Sequence, residues 1–139
     1  MSNVARTLYL YVAGLFLVGV VVEFFLAGLG VFGLQSDATD AGTTLTDASF
    51  VKRFDPHLML GDVLFGVAVV LILVALAARL DRRAILTTVG LFALISVQAT
   101  FAFAGAPAVR ALHAALGVAI FGAAAYVFVQ ARALARRDS

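Results

Sequence analysis

Four long apolar stretches, separated by short polar or charged segments, make up most of the 139-residue chain. A membrane-spanning helix needs about 20 predominantly apolar residues, and each stretch reaches that length. The pattern predicts transmembrane helices over residues 7–32, 57–78, 84–104 and 108–130. Because little chain is left over, we expect one domain: an all-α, polytopic membrane protein folded as an antiparallel four-helix transmembrane bundle.

The composition favours a membrane protein over a soluble one. Hydrophobic residues make up 63% of the chain and charged residues 13%, whereas soluble domains have about half and about a quarter. The first stretch is too long for a cleaved signal peptide and carries Glu23, so we interpret it as a retained helix. The chain has no cysteine, which excludes disulfides and thiolate ligands. Its basic residues lie at helix ends without interleaved aromatics, so nucleic-acid binding is not expected.

The basic residues also predict an orientation in the membrane. They concentrate at one end of the predicted bundle. These residues are Arg6, Arg79, Arg82, Arg83, Arg132, Arg136 and Arg137. Because cytoplasmic loops carry an excess of Lys and Arg, we expect this end, with both termini, in the cytoplasm. The acidic, Thr-rich loop predicted over residues 33–55 is expected outside the cell. Gly28, Gly30 and Gly33 indicate the helix exit before this loop. Asp55-Pro56 indicates the start of the next helix, because Asp is a good N-cap and proline suits the first helical position.

A repeated frame marks the second and fourth predicted helices. In both copies a histidine is followed by a glycine after four residues and by a Phe-Gly pair after four more. The copies are His57, Gly61, Phe65 and Gly66, and His113, Gly117, Phe121 and Gly122. The chain has no other histidine. Residues four apart share a helix face, so each histidine has a glycine one turn below it.

The repeat extends to whole hairpins. Gly14 and Glu23 in the first predicted helix correspond to Gly90 and Gln98 in the third. Both hairpins begin at the arginine-rich side, which predicts a parallel two-hairpin internal repeat with its pseudo-twofold axis along the membrane normal. Such an axis would place the two histidines opposite each other across the bundle.

The polar residues of all four helices fall at a similar depth. Counting ~1.5 Å per residue from the charged ends places Glu23, His57, Gln98 and His113 in the outer third of the membrane. Ionisable groups at such positions are costly and normally face the bundle interior. Two neutral histidines on facing helices are the ligand set of a bis-imidazole haem. We therefore predict a haem b whose iron is held by His57 and His113.

In this hypothesis, the residues near the histidines make room for the haem and orient the imidazole rings. Gly61 and Gly117 would leave room for the flat macrocycle. Glu23 and Gln98 would accept the second imidazole N–H and fix the orientation of the rings. Plain interhelical hydrogen bonds are an equally good interpretation of these two side chains.

Cations just before each histidine complete the predicted site. Haem propionates are anionic and pair well with guanidinium groups. Lys52 and Arg53 precede His57, and Arg110 precedes His113. Asp62 has no equivalent in the repeat, so the sequence assigns it no single role.

The placement of His57, Gly61, His113 and Gly117 resembles one four-helix half of the haem A synthase family. In that family the histidines ligate haem, so the resemblance implies the same role for His57 and His113. The family has two such halves and this chain has one. We therefore expect a b-type cytochrome-like protein for electron transfer, haem sensing or haem carriage, not an enzyme on its own. A redox partner or a larger membrane complex would be its partner, besides the lipid bilayer.

Two other functions remain open at this point. The protein could be a cofactor-free membrane subunit or scaffold, with the histidines bonded to Glu23, Gln98 or the backbone. It could also hold a transition metal or relay protons through His57, His113 and Glu23. The absorption spectrum of the purified protein distinguishes the haem hypothesis from both.

Overall fold

The computed structural model describes residues 3–40, 42, 44–102 and 107–136, apart from the side chains of Asn3, Pro107 and Arg110. These residues form helices α1 (Asn3–Thr39), α2 (Asp47–Ala77), α3 (Arg82–Ala102) and α4 (Pro107–Arg136). Each helix contains a stretch long and apolar enough to cross a membrane. The predicted fold class, an all-α four-helix membrane bundle, is confirmed.

The helices are arranged in a closed ring. Each packs against its neighbours in sequence, and α1 also packs against α4, which leaves α1–α3 and α2–α4 as the diagonal pairs. Many buried positions are alanines: Ala13, Ala68, Ala75, Ala78, Ala84, Ala124 and Ala131. Small residues let helix backbones approach closely where lipid supplies no hydrophobic driving force. The larger Val, Leu and Phe side chains mostly face outward.

One diagonal contact joins α1 to α3 at the end that carries the arginines, here called the arginine end. The hydroxyls of Tyr9 and Thr88 lie 2.6 Å apart, and the two residues are 0% and 2% exposed. The Thr88 hydroxyl also donates to the carbonyl of Ala84 at 2.8 Å. Because a hydroxyl has one proton to donate, Tyr9 must be the donor to Thr88.

The predicted boundary between the first two helices is wrong. We predicted a loop over residues 33–55 and a helix start at Asp55-Pro56, but α1 continues to Thr39 and α2 begins at Asp47. The N-cap is Thr46, whose side chain accepts from the Ser49 amide in a capping box. Asp-Pro resembles a helix start because proline suits the first turn, but Pro56 lies inside α2.

Close packing explains why both helices continue beyond the predicted ends. A Cβ added at Gly30 would lie 2.9 Å from the ring of Phe54, and one at Gly33 would lie 2.9 Å from Arg53 Cδ. Arg53 also donates to the Asp37 carboxylate through Nε at 2.9 Å and Nη2 at 2.5 Å. The glycines that we interpreted as a helix exit are therefore the surface on which α2 packs.

The other predicted spans agree better with the helices. The third starts two residues after the start of α3, and the fourth starts one residue after the start of α4. Residues 103 and 104 of the third predicted span lie outside the described residues. α4 continues to Arg136, beyond the predicted end at residue 130.

Candidate histidine site

The two histidines face each other across the bundle, as the repeat predicts. Their ring centroids lie 6.1 Å apart, and the ring planes are 83° from parallel. His57 is ten residues from the start of α2 and His113 six residues from the start of α4. The contact between the two rings is the diagonal connection at the second end of the bundle, here called the histidine end.

The His113 ring is fixed by the neighbouring helix α3. Its Nδ1 lies 3.0 Å from the backbone carbonyl oxygen of Gln98. A carbonyl only accepts, so Nδ1 must carry the proton, and in the neutral ring Nε2 then has a free lone pair. The Gln98 side chain donates in turn to the backbone carbonyl of His113 at 3.4 Å, a long contact.

The His57 ring is paired with a carboxylate on α1. Its Nδ1 lies 3.2 Å from Glu23 Oε2, with side chains 17% and 18% exposed. Both atoms are buried, and neither has a partner in hydrogen-bonding geometry, so the pair is electrostatic at ion-pair distance. The carboxylate lies on the Nδ1 side of the ring, which leaves Nε2 for another partner. Among the described residues, neither histidine Nε2 makes a hydrogen bond.

The two repeated glycines lie against the residues that contact the histidines. A Cβ at Gly61 would lie 3.0 Å from Glu23 Oε1, and one at Gly117 would lie 3.4 Å from Gln98 Nε2 and from Phe24 Cε1. Each glycine therefore makes room for the residue that contacts the histidine one turn above it. The predicted role of the glycines in leaving room for a macrocycle stays a prediction.

Phe24 is the site residue that the sequence did not reveal. It contacts the Gly117 position on α4, and its ring lies 6.4 Å from that of Phe121. Successive helix residues point about 100° apart, so Glu23 faces α2 while Phe24 faces α4. Its position directly after the polar Glu23 was the available signal. On the other side of the histidine pair, the centroid of the Phe54 ring lies 6.1 Å from that of the His57 ring.

Two of the three predicted cations, Lys52 and Arg53, can be placed in the structure. Arg53 is engaged by Asp37 and is not a free cation for a propionate, contrary to the prediction. Lys52 is exposed, and the side chain of Arg110 lies outside the described residues. Asp62 is exposed as well and forms no hydrogen bond or ion pair within the described part of the chain.

A bare transition-metal site is not supported. Within residues 3–40, 44–102 and 107–136 there is no group of three or more His, Cys, Asp or Glu that could hold a metal ion. The predicted alternative of a metal held by His57, His113 and Glu23 therefore gains no support from the described residues and stays a prediction. Glu23 lies against the Nδ1 of His57, where it orients the ring.

Comparison with known proteins gives one match. Residues 23–106, more than half of the chain, match a family of unknown function, DUF6220. The matched stretch includes Glu23, His57 and Gln98, while His113 lies beyond it. No curated protein and no solved structure matches the chain. The resemblance to the haem A synthase family therefore stays a prediction.

Proposed function

The chain belongs to the DUF6220 family, and we propose that it is a b-type cytochrome-like membrane protein with one haem b held between His57 and His113. The observation that carries the proposal is that an oxygen atom lies next to the Nδ1 of each ring, which leaves both Nε2 atoms for a ligand. The Nδ1 of His57 faces a carboxylate, and the Nδ1 of His113 faces a backbone carbonyl. Metal-bound histidines almost always have such a partner on the second nitrogen.

The separation of the rings agrees with a shared metal ion. Two imidazoles whose nitrogens are each ~2 Å from one ion have centroids ~6 Å apart, and the centroids here are 6.1 Å apart. Aromatic rings in simple contact show similar distances. The stronger support for a shared haem is that an oxygen lies next to each Nδ1, because this leaves both Nε2 atoms for a ligand.

The donor set fits the group, but the space around it is filled. Glu23 and Phe24 occupy the positions next to the two glycines, so a macrocycle would have to displace the Phe24 ring. That ring is 43% exposed and could turn outward without opening the buried core. Arg53 would contribute to propionate binding only after release from Asp37.

The haem would supply reversible one-electron chemistry. His57 and His113 would hold the iron. Glu23 and the Gln98 carbonyl would keep the two imidazole rings in their orientation. Because His57 and His113 would both be engaged in holding the haem, we infer electron transfer or haem carriage rather than oxygenation. The excess of arginine at one end supports an orientation with both termini in the cytoplasm and the histidines towards the outer face.

The test is the absorption spectrum of the detergent-purified protein, before and after titration with haem b. We expect a Soret band that saturates at one haem per chain. His57→Leu and His113→Leu should lose it, whereas His57→Met should retain a six-coordinate haem at a raised potential, because a Met thioether can also ligate haem iron.

Asp62→Ala is the control, since Asp62 is exposed and forms no hydrogen bond or ion pair among the described residues. Its haem binding should equal that of the unmodified protein. A folded, monodisperse protein that is colourless and binds no added haem would overturn the proposal and favour the cofactor-free scaffold. Equal haem binding by the Leu and Met variants would overturn the axial roles of the histidines.

A further inference from the structure

The surface between α3 and α4 carries a groove at the arginine end of the bundle. One part, of about 410 Å³, is lined by apolar groups that include Gly90, Leu94, Ala123 and Val127. A second part, of about 490 Å³, is lined by Arg82, Arg83, Leu86 and Thr87. Thr87 lines both parts, so a basic region continues directly into an apolar one.

We propose that this groove binds an anionic phospholipid. The phosphate would lie at Arg82 and Arg83, and one acyl chain would follow the apolar part past Gly90 to Leu94. Eleven residues separate Arg83 from Leu94, a distance of ~16 Å along a helix. Basic pockets between transmembrane helices are known to take anionic headgroups. The proposal does not depend on haem binding at the opposite end.

In the basic part of the groove, the Arg83 side chain is held by contacts within the protein. Arg83 donates to the Tyr126 hydroxyl at 2.7 Å, and its guanidinium carbon lies 6.0 Å from the centre of the same ring. Arg82 is exposed and has no hydrogen bond or ion pair among the described residues. Asp81 accepts from the Ala84 amide at 2.8 Å, so the guanidinium groups, not the helix terminus, would meet the phosphate.

The apolar part offers a surface without unpaired polar groups. The Thr87 hydroxyl lies 3.0 Å from the Ala84 carbonyl and 2.9 Å from Gln130 Oε1, so its hydrogen bonding is internal. A Cβ added at Gly90 would have nothing within 4 Å. The floor of the groove is therefore open at the point where a hydrocarbon chain would lie against it.

Charge complementarity selects the ligand. Guanidinium groups bind phosphate through paired hydrogen bonds, and a zwitterionic headgroup would add an opposing cation near Arg82 and Arg83. A free anion would use the basic part but gain nothing from the apolar part. The structure therefore favours a ligand that carries both a net negative headgroup and an acyl chain.

The test compares lipids that differ only in their headgroup. The protein in detergent is titrated with phosphatidylglycerol, with phosphatidylcholine of the same acyl chains, and with inorganic phosphate. Because a ligand that binds only the folded state stabilises it, we expect phosphatidylglycerol alone to raise the melting temperature in a saturable way. Native mass spectrometry should detect one such lipid retained per chain.

Two variants examine the two parts of the groove separately. Arg82→Gln with Arg83→Gln should lose the selective shift. Gly90→Leu should lose it as well with both arginines intact, because a side chain at this open position would occupy the space of the acyl chain. Gly66→Leu is the matched control: a Cβ at Gly66 also meets nothing within 4 Å, but it lies on α2, away from the groove, and should retain the shift.

Three results would overturn the proposal. Equal shifts with the two lipids would remove the headgroup preference. A full shift with inorganic phosphate would show that the apolar part is not used. An unchanged selective shift in a folded Gly90→Leu protein would show that no acyl chain occupies the groove.

Discussion

Gln98 and His113 are joined by two contacts between α3 and α4. The His113 ring donates from Nδ1 to the Gln98 backbone carbonyl at 3.0 Å, and the Gln98 side chain donates to the His113 carbonyl at 3.4 Å. In the corresponding pair of the first hairpin, the Nδ1 of His57 lies 3.2 Å from the carboxylate of Glu23. In both halves of the site, a glycine makes room for the residue that contacts the histidine. The halves differ in the group next to the ring, which is a backbone carbonyl for His113 and a carboxylate for His57.

Replacing Gly61, which lies next to Glu23, by alanine should lower the stability of the protein. In Gly61→Ala the new Cβ would lie 3.0 Å from Glu23 Oε1, so the carboxylate must move away from His57. Relative to Gly66→Ala, we expect the free energy of unfolding in detergent to fall by about 1 kcal/mol, the lower range for overpacking a filled site.

Gly66→Ala serves as the reference for this measurement, because a Cβ there meets nothing within 4 Å. Replacing glycine by alanine in a helix is itself favourable by roughly 0.5–1 kcal/mol. Its stability should therefore be equal to or above that of the unmodified protein. Equal stabilities for the two alanine variants would show that Glu23 does not need the space at Gly61.

The buried hydroxyl pair at the arginine end allows us to predict which of two substitutions lowers the stability more. In Thr88→Val the buried Tyr9 hydroxyl loses its acceptor, which should cost about 1–3 kcal/mol of unfolding free energy. In Tyr9→Phe the Thr88 hydroxyl keeps its bond to the Ala84 carbonyl, so we expect a smaller loss of about 0.5–1.5 kcal/mol. Tyr11→Phe, at a position 71% exposed, should change little. The reverse order of the first two losses would contradict the donor assignment.

The sequence was sufficient for the fold because its periodic signals are long. Spans of about 20 apolar residues, a histidine frame that occurs twice and arginines at one end fix four helices and their relative placement. The meeting of His57 and His113 followed from the repeat alone. Such patterns depend on helix geometry, which is the same wherever the helix packs.

The sequence was insufficient where the outcome depended on which helix a residue faces. Gly30 and Gly33 indicated a helix exit by composition, whereas Phe54 and Arg53 of α2 pack on them. Arg53 was predicted to be free for a propionate, yet it pairs with Asp37, which lies sixteen residues earlier in the chain. Neither contact has a local signal, because both depend on the angle at which α2 packs against α1.

The start of α2 can be tested with two substitutions. Thr46→Ala removes the side chain that accepts from the Ser49 amide, and loss of an N-cap costs typically about 1 kcal/mol. We expect faster amide hydrogen exchange over residues 47–50 in this variant. Asp55→Ala, which alters the helix start indicated by the sequence, should leave exchange in that segment unchanged. The opposite result would place the start of α2 near Pro56.

The difference between the two halves of the site gives the last prediction. Glu23→Leu removes the carboxylate that lies 3.2 Å from the Nδ1 of His57 and puts an apolar side chain beside that buried nitrogen, at a cost of about 1–3 kcal/mol. Gln98→Leu removes only the 3.4 Å side-chain contact, because the His113 ring is held by the backbone carbonyl of residue 98. We therefore expect a clear loss of stability for Glu23→Leu and a small one for Gln98→Leu. Nitrogen NMR of the imidazoles should show that His113 keeps its proton on Nδ1 in the second variant, whereas the His57 nitrogen signals shift in the first. Equal effects on the two rings would show that the Gln98 side chain, rather than its backbone, orients His113.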